Sequence, residues 1–96
     1  MKTKLNVTEI NTMINNKEFT LDIRQTKNNK LMPDCIIYEV MTFEADMTPF
    51  KRFKMVYDRF NKNYWAWTAD TFREDDRLFR EEIANLFNNG LLKLVA

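Results

Sequence analysis

The sequence predicts a single α+β domain, residues 1–96, with an antiparallel sheet of four or five strands flanked by an N-terminal and a C-terminal helix. Segments with a helical apolar period lie at the two ends of the chain, and apolar and polar residues alternate between them. Turn-forming Asn, Asp and Pro residues separate the alternating segments. The chain is long enough to bury one hydrophobic core. The predicted order of elements is αββββα.

The first predicted element is a helix over about Val7 to Asn16. Asn6 is a suitable N-cap, and Glu9 follows it at the spacing of a capping box. Ile10 and Ile14 then fall on one face at the helical period. This helix is too short to be stable alone, so we expect it to pack on the sheet.

Four strands are predicted to follow. Phe19 to Arg24 alternates strictly between apolar and polar residues, whereas Cys35 to Phe43 is apolar on both faces and suits a central position. Phe50 to Phe60 forms the third strand. The turn Asn61 to Asn63 then leads into a short fourth strand, Tyr64 to Thr68, because asparagine tolerates positive φ.

The longest predicted helix covers about Thr71 to Asn88. Gly90 follows it, at a place where a left-handed residue commonly ends a helix. Leu91 to Val95 is predicted to be a short edge strand or a tail packed on the core. The buried stripe of the helix is predicted to consist of Phe72, Phe79, Ile83, Leu86 and Phe87.

The sequence lacks residues on which many enzymes depend. It has no histidine and no serine, which excludes Ser–His and Cys–His nucleophile systems. Its single glycine excludes a glycine-rich phosphate loop, and Cys35 is its one cysteine, so it has neither an internal disulfide nor the ligands of a zinc site. We therefore predict a binding protein, with no enzymatic activity and no cofactor.

Three adjacent carboxylates, Glu74, Asp75 and Asp76, are the candidate magnesium ligands. Neighbouring residues on a helix point about 100° apart, so the three do not converge, and we assign them to compensation of the helix dipole. We predict no metal site. The sequence also lacks a membrane-spanning run and a secretion signal, so we expect a cytoplasmic protein with no membrane partner.

A basic stretch lies beside the two tryptophans of the chain. Trp65 and Trp67 could stack on unpaired bases while neighbouring cations hold phosphates. Alternatively, both tryptophans lie in the core and meet Phe72 and Phe79; we prefer this interpretation because so small a domain needs its largest residues inside. The nucleic-acid hypothesis uses Lys51, Arg52, Lys54, Lys62, Trp65 and Trp67.

Three segments follow a pattern known from another family: Asn6 to Ile23, Cys35 to Val40, and Glu82 to Gly90, the last resembling a helix that ends in Asn-Gly. They resemble the small anti-CRISPR proteins of Listeria phages, which inhibit the RNA-guided nuclease of type II-A systems by mimicking DNA. The resemblance implies a phage or mobile-element inhibitor whose partner is a host CRISPR effector nuclease.

In that family, carboxylates on the first strand, in the loop after the second strand and in an acidic C-terminal region occupy the nuclease site that recognises a short DNA motif. The resemblance places Glu18 at the first position and Asp46 in the loop. No acidic C-terminal region matches here, and the loop continues into basic residues. The predicted partner-binding residues are therefore Glu18 and Asp46 with the acidic helix face of Glu74, Asp75 and Glu82.

Two other functions stay open. One is a nucleic-acid-binding accessory protein of a phage or plasmid. The other is a structural or immunity protein that acts through protein–protein contact. The chain is expected to be a monomer, or a homodimer formed through an exposed sheet edge.

Overall fold

The computed structural model describes residues 7–26, 33–67 and 74–94. The described residues form five strands and one helix: β1 (Val7–Ile14), β2 (Lys17–Gln25), β3 (Cys35–Glu44), β4 (Pro49–Asp58), β5 (Asn63–Ala66) and α1 (Glu74–Asn88). Each strand pairs antiparallel with the next one in the chain, which gives the sheet order β1-β2-β3-β4-β5. The α+β class and the antiparallel sheet are confirmed.

The prediction of an N-terminal helix is wrong, because the residues assigned to it form β1. Ile10 and Ile14 are four residues apart, a spacing that fits one face of a helix and one face of a strand equally well. The exposed residues in this segment alternate as in a strand: Glu9, Asn11 and Met13 are exposed, whereas the residues between them are partly or fully buried. The element order of the described chain is therefore βββββα.

Two features of the sequence explain why β1 is a strand. Its buried-side residues Thr8, Ile10, Thr12 and Ile14 are all β-branched, and β-branched side chains pack well on a pleated sheet. Asn15 and Asn16 follow with φ of 52° and 68°. Two successive residues with positive φ make a type I′ turn, whose twist matches a tight hairpin. The polar pair therefore folds the chain back into β2.

The type I′ turn can be tested by substitution of its second residue, Asn16. Asn16→Gly should raise the free energy of unfolding by about 0.5–1 kcal/mol, because glycine adopts positive φ without steric cost and Asn-Gly suits a type I′ turn. Asn16→Val should lower it. Urea denaturation followed by circular dichroism measures both. A loss of stability in Asn16→Gly would contradict the type I′ turn.

The hydrophobic core lies between one face of the sheet and α1. Phe19, Leu21 and Ile23 share that face of β2 as predicted, and all three are buried. The predicted helix stripe is confirmed for Phe79, Ile83 and Phe87 in the buried core and for Leu86 at its margin. Phe72 and the predicted helix start at Thr71 lie outside the described residues. The remaining core residues are Ile14, Val40, Phe53, Met55, Ala66 and Ala84.

The end of α1 follows the sequence prediction. Gly90 has φ of 76°, and the Leu91 N–H donates to the Leu86 carbonyl at 2.9 Å, as expected after a left-handed residue. Residues 91–94 do not form a strand. Instead, Leu92 and Leu94 pack against the core, so the tail alternative is confirmed for residues 91–94, and Val95 lies outside the described residues.

The last residue of α1 also holds the free edge of β5. Asn88 accepts a hydrogen bond from the Tyr64 N–H through Oδ1 at 2.6 Å, and its Nδ2 donates to the Tyr64 carbonyl at 2.9 Å. The side-chain amide therefore occupies the position that the backbone of a further strand would take. Ala66 and Ala84 are small and buried, which lets α1 approach β5 closely.

Candidate binding surfaces

One candidate surface lies on the β4–β5 hairpin, on the side of the sheet away from α1. In the register of this hairpin Trp65 is opposite Val56, and the Trp67 N–H donates to the Lys54 carbonyl at 2.8 Å. Alternation along β4 puts Arg52 and Lys54 on the same side as the tryptophans. We call the four side chains Arg52, Lys54, Trp65 and Trp67 the hairpin face.

The preferred interpretation of the tryptophans as core residues that meet Phe79 is wrong. Their rings stack on each other, with centroids 6.1 Å apart and planes 26° apart. Trp65 is 37% exposed. Ala66 lies between them in sequence and meets α1 in their place, because successive residues of a strand point to opposite faces. Meanwhile, Phe79 packs edge-on against Phe19 on the other side of the sheet.

The charges of the hairpin face are mostly exposed. The side chain of Arg52 is 68% exposed and its guanidinium lies 3.5 Å from a carboxylate oxygen of Glu39. Lys54 is exposed and directly opposite Glu39 in the β3–β4 register. Sequence analysis did not single out Glu39. A signal was present, since Glu39 is the one charged residue between Cys35 and Phe43.

Two residues of the nucleic-acid hypothesis lie away from the hairpin face. Lys51 lies within an irregular part of the β3–β4 register, where its N–H donates to Thr42 Oγ1 at 2.7 Å. Its ammonium group lies 5.2 Å from the centre of the Phe50 ring, and the residue lines a cleft of about 190 Å³ beside Phe79. Lys62 is in the β4–β5 turn, with φ of 59°. Four of the six residues therefore share one surface.

Asp58 organises the turn of the same hairpin. Its carboxylate accepts hydrogen bonds from the Phe60 N–H at 2.9 Å, the Asn61 N–H at 3.1 Å and the Asn61 side-chain amide at 2.8 Å. Hydrogen bonds from Asn61, followed by the one from Phe60, lower the pKa of Asp58 below its ordinary value. The carboxylate is thus engaged in shaping the turn.

The lowered pKa of Asp58 predicts a pH dependence of stability. The ionised carboxylate stabilises the fold above the pKa it has in the unfolded chain, and this contribution is lost as pH falls through the lower folded pKa. Asp58→Asn should therefore be less stable than the wild type at neutral pH, and the difference should shrink below about pH 4. Urea denaturation across pH measures it. A difference that stays constant down to about pH 2 would contradict the assignment.

The predicted acidic residues lie mainly at one end of the sheet. Glu18 is exposed next to the β1–β2 turn, and Asp46 is exposed in the turn between β3 and β4. Phe19 is paired with Glu44, so both turns are at the same end, which we call the turn end. Hydrogen bonds from the side chain and the N–H of Thr48 lower the pKa of Asp46.

The direction of α1 brings its first turn to the turn end as well. The ring of Phe79 contacts Phe50, at the start of β4, whereas Phe87 contacts Tyr64 near the opposite end. Glu74 and Asp75 precede Phe79 by four or five residues, which is about 6–7.5 Å along a helix. Their backbone therefore lies at the turn end. Glu82 is exposed about one turn after Phe79, farther along α1.

Within the described ranges, no group of three or more metal-ligating side chains is arranged to hold an ion. Nor does α1, the helix described here, have the length and hydrophobicity needed to cross a membrane. Comparison of the chain with protein-family models, curated proteins and solved structures gives no match. The assignment of a function therefore depends on the surfaces themselves.

Proposed function

We propose that the protein binds single-stranded nucleic acid through the hairpin face. The observation that supports this proposal is the stacked pair Trp65 and Trp67, which lies on the side of the sheet opposite the helix. Core packing against α1 does not account for two large aromatic residues at this position. Exposed aromatic surface on a small protein commonly marks an interaction site.

The chemistry of the hairpin face suits an unpaired polynucleotide. Aromatic side chains accept bases by stacking regardless of sequence, and nearby cations contact phosphates. Arg52 and Lys54 supply those cations on the strand next to the tryptophans, and Glu39 beside them offsets part of their charge. Glu9, Glu18 and Asp22 lie on the β1–β2 part of the same sheet side with one cation, Arg24, so the net negative charge there makes the β4–β5 part the more favourable surface for a polyanion.

The test is fluorescence anisotropy with a labelled oligothymidylate of about 15 nucleotides, an oligouridylate of the same length and a DNA duplex. We expect the single strands to bind more tightly than the duplex and to lose affinity as salt rises. Arg52→Ala with Lys54→Ala should weaken binding and flatten the salt dependence. Lys93→Ala, which removes an exposed charge elsewhere, should not. Failure of both single strands to bind at low salt would overturn the proposal.

A second candidate function is the phage or mobile-element inhibitor of a host type II CRISPR nuclease. It is favoured by the position of Glu18, Asp46 and the first turn of α1 at one end of the sheet. Clustered carboxylates can imitate the phosphates of DNA in a site built to bind it. However, β1 stands where the resemblance implies a helix, so the similarity does not extend to the conformation of that segment.

A DNA-cleavage assay with guide-loaded type II nucleases tests this candidate. Excess protein should block one of the nucleases, and Glu18→Lys combined with Asp46→Lys should restore cleavage. Glu9→Lys is the matched control, because it reverses an exposed carboxylate away from the turn end. Unimpaired cleavage by every nuclease, with protein that is folded by circular dichroism, would remove the inhibitor from consideration.

A further inference from the structure

The two outer strands of the described sheet differ in whether their outward backbone groups are covered by other residues. On β5, the amide of Asn88 satisfies both backbone groups of Tyr64, and α1 lies alongside. On β1, no described strand pairs with the side facing away from β2. Sheet edges are commonly protected by charged side chains, above all lysine, and by proline, bulges or covering segments. β1 carries one charged residue, Glu9. β1 contains no lysine and no proline, and its register with β2 is regular from Val7 to Ile14.

The turn between β1 and β2 determines which backbone groups of β1 point outward. A two-residue turn makes its flanking residues, Ile14 and Lys17, a hydrogen-bonded pair. Hydrogen-bonded and non-hydrogen-bonded pairs alternate along an antiparallel ladder. Ile10 therefore bonds to β2, whereas the N–H and C=O groups of Glu9 and Asn11 point away from it.

We propose that this edge pairs with β1 of a second copy of the chain, antiparallel, with a two-fold axis at Ile10. In this register Ile10 faces Ile10 of the second copy, and Thr8 faces Thr12. Glu9, the one charged residue of β1, falls opposite Asn11, so no like charges are directly opposite, although the two copies of Glu9 are diagonal neighbours. The outward groups of Glu9 and Asn11 then form the hydrogen-bonded pairs. The strand is thus complementary to itself.

The pairing has a defined consequence for the architecture. The two sheets become continuous, and paired residues must lie on the same side of a continuous sheet. Both copies of α1 therefore cover one side, and the two hairpin faces lie on the other, far from the two-fold axis. The dimer does not depend on the proposed nucleic-acid function, since the hairpin face takes no part in the contact.

Sedimentation equilibrium with Asn11 variants tests whether two copies of the chain pair through the outer edge of β1. The average mass of the wild-type protein should rise with concentration from 11.6 kDa towards twice that value. Asn11→Pro should remain at the monomer mass, because proline removes an N–H that points away from β2 and leaves the β1–β2 bonds in place. Asn11→Ala keeps that N–H and should still dimerise, although both variants lose the bond from Thr20 to Asn11. Wild type that stays monomeric at millimolar concentration overturns the proposal.

Disulfide trapping tests the register independently. In a Cys35→Ser background, Ile10→Cys should form a covalent dimer on mild oxidation, because non-hydrogen-bonded pairs have Cα atoms about 4.5 Å apart. Met13→Cys, at an exposed position of the same strand, should not, since its copies lie about 20 Å apart in this register. Efficient cross-linking through Met13 and none through Ile10 would overturn the proposed pairing.

Discussion

Trp65→Ala should weaken binding of a single-stranded oligonucleotide by about 5- to 150-fold, which corresponds to about 1–3 kcal/mol for the loss of one stacked base. Trp65 is the more exposed ring of the stacked pair, so its face is the one open to a base. Trp65→Phe keeps an aromatic face and should retain most of the affinity. Fluorescence anisotropy at fixed salt measures each variant.

The hairpin also supplies an aromatic control for this prediction. Phe60 is 83% exposed in the β4–β5 turn and is not part of the hairpin face. Phe60→Ala removes a comparable ring from the same hairpin and should leave affinity unchanged. Equal losses for Phe60→Ala and Trp65→Ala would mean that binding depends on exposed aromatic surface in general. Full affinity in Trp65→Ala would remove Trp65 from the site.

Ile83→Ala should lower the free energy of unfolding by about 2–5 kcal/mol. Ile83 is 0% exposed and lies on the stripe of α1 that faces the sheet. Removing three buried carbons loses their transfer free energy and leaves a cavity that a sheet packed on a helix cannot fully close. A domain of this size has roughly 5–15 kcal/mol of stability, so this one change removes a large share. Urea denaturation monitored by circular dichroism gives the value.

Leu78→Ala is the matched change on the other side of α1. Leu78 is 55% exposed, and its truncation should cost well under 1 kcal/mol because most of the side chain already contacts water. The midpoint of the urea transition should therefore shift for Ile83→Ala and hardly at all for Leu78→Ala, with similar slopes. Similar losses at both positions would contradict the orientation of α1 on the sheet.

Strands bounded by clear turn residues were predictable from the sequence, because the turns depend on local chemistry. Asp46 and Asp58 accept hydrogen bonds from N–H groups two or three residues later. The turn at Asp46 lies where the sequence predicted it. The β4–β5 turn begins earlier than predicted, since β4 ends at Asp58 and not at Phe60, and its positive φ is at Lys62 and not at an asparagine. The same kind of local pattern led to the wrong prediction of a helix for the residues of β1. Its isoleucines fit both periods, and the β-branched content and the Asn15-Asn16 turn outweighed the capping-box pattern.

The composition of the binding surfaces could be predicted, but their arrangement could not. That Trp65 and Trp67 share a face follows from alternation alone. Which face they share depends on where α1 packs, and the general preference for burying tryptophan favoured the wrong side. The small residue Ala66 was the sequence signal for the correct side, since it leaves room for a helix. The separation of Lys51 from Arg52 also follows from alternation, because adjacent residues of β4 point to opposite faces.

The stacked pair on the hairpin face has a spectroscopic consequence. The chain contains two tryptophans, so all of its indole emission originates at that face. Two indoles 6.1 Å apart are close enough for their excited states to couple, which should give a paired signal in far-ultraviolet circular dichroism, where the strong indole transition lies. A ligand inserted between or onto the rings would quench the emission and change that signal, whereas one bound at the turn end would leave both unchanged. The tryptophan signals of the unlabelled protein should therefore show whether a ligand occupies the hairpin face or the turn end.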